Sequence, residues 1–418
     1  MIARLYGIAT VIACVLSASS SFAQDQNHHY GLRYDLSLIP AEDRADVAIT
    51  LDERAKGKIW SLRFRVDPER HKSLNGDGSL QVDGDHVTWN PPEAGGRLTF
   101  QVSVSNRRGN GAFDARMTED WAIFRGDDLF PAAHTQERED SEADTTLHVK
   151  LPDGWSLATP YQEIADETYE VDHAHRRFER PIGWMAAGRL GVRRERIAGV
   201  RVIVAGPHNQ GVRRLDMIAL LNWNLPRLRR LVPDMPKRVL IVSAGDPMWR
   251  GGLSGPNSLY VHAGRPLLSE NGSSTLVHEL VHVATGIKGE KGGDWIVEGI
   301  AEYYSLKLMW RSGTLTDNRY KASFRRLEKW AQQAAGRLDA DASRGPVTAR
   351  AVGIMRKLDH EIHKKTKQQK SLDDVVRLMV AAGKKVNTEN FRQSVVEVMG
   401  QEAESLSDAQ LGLDTSGE

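Results

Sequence analysis

At 418 residues, with 40% hydrophobic and 27% charged residues, the chain is long enough for two or three packed domains and too apolar to be disordered. Its formal charge is +1, from 56 basic and 55 acidic side chains. That balance excludes a global field able to gather nucleic acid or an anionic membrane, so partners must be read from local sites.

The chain opens with a basic Arg4, an apolar run from Ile8 to Leu16 and small residues ending Ser21-Phe22-Ala23, which reads as a secretory signal peptide over residues 1–23. Export to the periplasm or the extracellular medium is the expectation. No later stretch approaches the roughly 20 apolar residues of a membrane-spanning helix, so no transmembrane segment is expected. The single cysteine, Cys14, falls inside the leader, and cleavage after Ala23 leaves no thiol to form a disulfide. Val11-Ile12-Ala13-Cys14 has some likeness to a lipoprotein cleavage box, but the apolar segment continues past Cys14 and a better small-residue site follows.

From Tyr30 to about Pro160, within a domain expected over 24–180, the pattern is short alternating segments, such as Ala48 to Leu51, Ile59 to Val66, Leu98 to Val104 and Thr146 to Leu151. Asp83-Gly84-Asp85 and Asn90-Pro91-Pro92 punctuate them as turns. An antiparallel, sandwich-like β domain is expected. After Pro181 the grammar changes. Val200 to Ala205 and Val239 to Ser243 read as strands, and Gly211 to Val232 as a helix interrupted by Pro226. Then come a Gly-rich loop from Gly251 to Gly255, a strand through Ser258 to His262 and two helices, completing a catalytic unit over 181–312. Residues 313–400 read as helical, with Asp373 to Lys384 and Thr388 to Met399 clearest, and 401–418 as a frayed tail. The fold class expected is multidomain α+β.

The chemistry lies in His278-Glu279-Leu280-Val281-His282, within an apolar run preceded by the capping residues Ser273 and Ser274. On a helix, residues four apart share a face, so both imidazoles can address one ion while Glu279 sits beside its open position. Two nitrogens and an adjacent carboxylate suit Zn²⁺, one per chain. Asp294 to Tyr304 reads as a second helix capped by Asp294, with Glu298 and Glu302 four apart on one face. Glu298 is the third ligand a catalytic zinc needs, and Glu302 is placed to orient a ligand histidine. The elongated zinc motif with a further glycine and histidine fails, because those positions hold Thr285 and Lys288.

These residues resemble the gluzincin peptidases, and within them the glycyl-aminopeptidase-like family, with aminopeptidase N more distant. Gly251 to Ser258 looks like that family's Gly-rich substrate strand, with Gly252, Leu253 and Ser254 lining the substrate. Trp295 to Tyr304 looks like its third-ligand helix. The resemblance implies a thermolysin-like α/β zinc unit after an N-terminal β domain, followed by a helical part. It implies water activated by the metal, with Glu279 as general base. Two positions depart from the family pattern. Ser254 stands where the family commonly has a glutamate for the substrate's amino terminus, and Arg350 stands near the place of its oxyanion-binding tyrosine. Arg350 is the expected oxyanion donor, with Tyr303, Tyr304 and Tyr320 as alternatives. The expected partner is a peptide or protein substrate. The competing reading is a zinc-binding but non-catalytic envelope protein of peptidase descent. His262, on the strand before the zinc helix, could reach the cleft or pack within the core.

Overall fold

A computed structural model describes residues 28–413, apart from 173–177, 335–336, 340–341 and 384. The segment read as a leader, residues 1–23 with Cys14, lies outside the described residues. The chain divides into two compact units, the first ending at Arg189 and the second beginning at Leu190.

The first unit is built of strands. A seven-stranded sheet runs, in spatial order, Gln162–Ala165, Thr168–Glu170, Glu142–Lys150, His29–Ile39, Arg44–Leu51, Gly96–Ser103 and His71–Gly76. Alternate residues of His29–Ile39, from Tyr30 through Leu38, are buried, the period-2 pattern of a strand with one face in the core. One pairing departs from the antiparallel expectation, because His29–Ile39 lies parallel to Glu142–Lys150. Those two strands are far apart in sequence, so no tight turn forces them to run in opposite directions. A five-stranded and a four-stranded sheet share the same apolar core, with Trp89, Tyr34, Phe64, Phe124 and Phe130 fully buried. Trp184–Gly188 pairs with Trp121–Arg125, so the first unit continues past Pro181 to Arg189.

The second unit carries a five-stranded sheet made of β1 (Leu190–Ile197), β2 (Val200–Pro207), β3 (Arg238–Val242), β4 (Gly252–Gly255) and β5 (Ser258–Val261). Their spatial order is β1-β2-β3-β5-β4, so β4 is an edge strand, antiparallel to β5. The helices are α1 (Arg214–Leu231), α2 (Thr275–Thr285), α3 (Asp294–Arg311), α4 (Asp317–Ala331), α5 (Pro346–Lys365), α6 (Leu372–Ala382) and α7 (Thr388–Met399). α1 runs unbroken through Pro226, contrary to the interruption expected there. A proline costs a helix one N–H bond and some crowding. Leu221, Leu225, Leu228 and Leu231 bury the same helix on both sides of it, each burial stabilising by about 1.5–3 kcal/mol, which is enough to hold the helix together.

Among the described residues no helix is long and apolar enough to cross a membrane. The tail expected to fray is packed as far as Leu413. Glu404–Leu406 and Asp408–Leu411 form helical turns that bury Leu406 and Leu411 in the second core, and Glu361 accepts from the N–H groups of Glu404 and Ser405. Polar composition suggested fraying, but two apolar anchors decide the outcome.

α3 is central and packs against α1, α2, α4 and α5. A buried ionic group fixes its register. Lys307 Nζ lies 2.7 Å from Asp359 Oδ2 and 3.3 Å from Asp373 Oδ1, Tyr303 donates to Asp359 at 2.6 Å and Tyr304 to Asp373 at 2.9 Å. Tyr303 and Tyr304 are thus committed to this group, while the ring of Tyr320 stacks on Trp310.

Candidate metal centre

α2 begins at Ser274, whose hydroxyl accepts the N–H of Val277, and ends at Gly286, whose φ of 60° is the left-handed conformation glycine adopts without strain. Leu276, Val277, Leu280 and Val281 point into the core, which turns His278 and His282 together toward α3. α3 supplies the facing carboxylates. Its apolar residues Trp295, Ile296 and Ile300 are buried, leaving Glu298 and Glu302 on the side facing the histidines. Asp294 does not cap this helix as expected. It is the first helical residue, and its carboxylate accepts the N–H of Ser343 at 2.6 Å instead.

His278, His282 and Glu298 converge, their donor atoms all lying within 4.8 Å of one another. The two Nε2 atoms are 3.1 Å apart, and Glu298 stands 3.3 Å from His278 Nε2 and 3.4 Å from His282 Nε2. Ligands about 2.0–2.1 Å from a tetrahedral Zn²⁺ are separated by about 3.3 Å, so the triangle has the dimensions of one face of such a site. Glu302 Oε2 lies 3.0 Å from His278 Nδ1, which puts that ring's proton on Nδ1 and turns the Nε2 lone pair inward. Among the described residues this is the only such group of three or more histidine, cysteine or carboxylate side chains.

Burial disfavours charge on both imidazoles, but the carboxylates of Glu298 and Glu302 hold His278 well above the ordinary imidazole range. His282, buried and next to that charge, is pushed down to about 4. Burial also opposes ionisation of Glu298, yet His278 and His282 keep its carboxyl below the usual range, with Arg344 contributing from further away. The rings cannot both be protonated at this spacing, and a divalent cation that displaces the one remaining proton would find two imidazole nitrogens and a carboxylate as its donor set.

Glu279, 8% exposed, adjoins the triangle, and burial pushes its carboxyl up to about 7 against hydrogen bonds from the backbone and side chain of Ser254. β4 is therefore tied to α2 through Glu279. Gly252 makes that approach possible, because a Cβ there would lie 2.5 Å from Thr275 Cγ2 and 2.8 Å from Glu279 Cγ. Gly252, Leu253 and Ser254 all fall on this edge strand. Arg350 is placed elsewhere, its guanidinium donating to the carbonyl of Gln410 at 2.9 Å in the packed C-terminal segment. His262 is buried, its Nδ1 accepting the N–H of Gly264 and its Nε2 facing Asp246 at 3.5 Å. The sequence reading missed the Ser254–Glu279 pairing, the charge of Arg344 and the Lys307 group. All three are contacts across long sequence separations, with no local signal.

The fold has close counterparts among solved structures. One is the crystal structure of an aminopeptidase N family protein from Idiomarina loihiensis, similar at a TM-score of 0.66 over 90% of this chain and 74% of that one, with 14% identity. Another is a two-domain M1 zinc metallopeptidase, solved as a mutant with L-tryptophan bound, similar at a TM-score of 0.60 over 94% of each chain, with 15% identity. No protein-family model matches the chain, and comparison with curated proteins gives no match. At these identities the likeness is one of fold. The chain shares the fold of these two structures, an aminopeptidase N family protein and an M1 zinc metallopeptidase, with sheets first and helices last in its own order of elements.

Proposed function

We propose that this protein is an exported zinc-dependent peptidase, working outside the cytoplasm after loss of residues 1–23. The observation that carries the reading is the triangle of His278, His282 and Glu298 with Glu279 alongside. The donor set and its 3.1–3.4 Å separations fit Zn²⁺. Bound there, the ion would supply a Lewis acid that polarises a carbonyl and makes water acidic near neutrality.

The protein's own residues account for the remaining steps. Glu302 holds the His278 ring in the tautomer that presents Nε2. Glu279, in a pocket dry enough to raise its basicity, takes the proton of the attacking water and passes it to the leaving amine nitrogen as the C–N bond breaks. β4 is the edge strand of its sheet, on which a peptide can lie extended, with main-chain hydrogen bonds setting its direction. Ser254, on that strand, orients the Glu279 carboxylate.

A second reading, a zinc-binding protein without turnover, is favoured by one observation. Tyr303 and Tyr304 are held by Asp359 and Asp373, and Arg350 is directed to Gln410, so the donors expected for an oxyanion are engaged elsewhere. Metal analysis of the purified protein and of His278→Ala, with hydrolysis of a quenched-peptide library before and after chelation, separates the two. Stoichiometric zinc with chelator-sensitive cleavage supports the peptidase. Zinc without cleavage favours the binding protein, and metal retained in His278→Ala rejects both.

A further inference from the structure

Arg344 differs from the other charged groups around the metal centre. It is exposed and its guanidinium makes no hydrogen bond or ion pair with any described residue, although its backbone is pinned, its carbonyl accepting the N–H of Val347 at 3.2 Å. The preceding N–H, of Ser343, donates to Asp294 at 2.6 Å, and the Ser343 hydroxyl meets Thr348 at 3.1 Å. The following Gly345 turns at φ 56°, where a Cβ would lie 3.4 Å from the Trp330 ring, and Pro346 then starts α5. Two contacts put this segment beside Glu298. Asp294 lies one helical turn before Glu298, about 6 Å along α3. Ala351 of α5 packs against Gly299, the residue after Glu298, where a Cβ would come within 3.0 Å. The backbone of Arg344 is therefore held beside the helix that carries Glu298, and the charge of its guanidinium reaches the Glu298 carboxyl, whose two oxygens face the imidazoles.

We propose that Arg344 is the anion-recognition residue of this site, and that its substrates carry a carboxylate close to the bond that is cut. The inference rests on the peptidase reading and deepens it. Arginine suits the task because its planar fork pairs with both oxygens of a carboxylate. The strand that would hold the peptide, Gly252-Leu253-Ser254-Gly255, offers no ionic side chain, so charge selection falls to Arg344. The indole of Trp330, 45% exposed beside Gly345, gives the same subsite an apolar wall. The carboxylate could be a peptide's C-terminus or an acidic side chain.

The test compares zinc-loaded wild type, Arg344→Ala and Arg344→Lys on matched quenched peptides. One series ends in a free acid or a carboxamide, and the other carries Glu or Gln at each position flanking the cut. Wild type should favour the carboxylate member of one series by about ten-fold or more in kcat/KM, mainly through KM, as expected for loss of a charge-assisted pair. The ratio should collapse toward one in Arg344→Ala and recover in part in Arg344→Lys. Calorimetric binding of the same peptides to Glu279→Gln, with and without Arg344→Ala, gives a readout independent of turnover. Carboxylate-dependent binding that requires Arg344, without cleavage by wild type, would reject the peptidase reading while upholding this role. Equal handling of acid and amide by wild type, or a preference that survives Arg344→Ala, overturns the inference.

Discussion

Glu302 Oε2 lies 3.0 Å from His278 Nδ1, on the side of the ring opposite the nitrogen that faces Glu298. A carboxylate behind a ligand histidine fixes both its tautomer and its direction. Replacing Glu302 by Gln or Ala should weaken zinc binding by about 10–100-fold without unfolding the protein. Chelator competition measures this, and unchanged affinity would contradict the orienting role.

Glu279→Gln should keep the metal, since Glu279 is not one of the three converging donors, and should lower kcat by about 10²-fold or more. Without a metal, burial places the Glu279 carboxyl at about 7, and a neighbouring dication would favour its ionised form. The base must be ionised to accept a proton, so kcat/KM should fall on the acidic side with an apparent pKa below 7. A profile flat down to pH 5 would remove Glu279 from that role.

Gly252→Ala tests the contact between β4 and α2. A Cβ 2.5 Å from Thr275 and 2.8 Å from Glu279 must push the strand away from the helix. The expected result is normal zinc content with a several-fold loss in kcat/KM. Unaltered activity would show that the edge strand does not need this proximity.

The ionic group around Lys307 should make the protein acid-sensitive. Burial opposes ionisation of Asp373, but Lys307 and Arg311 bring its carboxyl down to about 2. Its folded pKa lies below its unfolded one, so the stabilisation is present above about pH 4 and is lost as the pH falls toward 2, amounting to about 2 kcal/mol. Urea unfolding followed between pH 5 and 2 should show this loss, and Asp373→Asn should flatten it. Lys307→Met, which leaves Asp359 and Asp373 buried without their shared cation, should cost about 3–5 kcal/mol. A variant as stable as wild type would show the group to be incidental.

The helix α2 was legible because its information is local. The spacing of His278 and His282 and the serine before the apolar run need only helical geometry to be interpreted. The strands of the first unit were legible for the same reason, as alternation along the chain. Where the outcome depended on a distant partner, local reading misassigned residues. Asp294 looks like a cap until Ser343 approaches it, Arg350 looks available until Gln410 does, and residues 401–413 look loose until Leu406 and Leu411 find the core.

By itself the sequence determined the ligand types, their helical spacing and the order of sheet-rich and helical parts, because turn-scale geometry and side-chain chemistry are encoded between near neighbours. Tertiary structure alone decided that Glu298 meets both imidazoles, that Ser254 reaches Glu279 and that the charge of Arg344 reaches Glu298. Those relationships come from the packing of α3 against α2 and α5, which is set by the shapes of many buried side chains together and by no single stretch of chain.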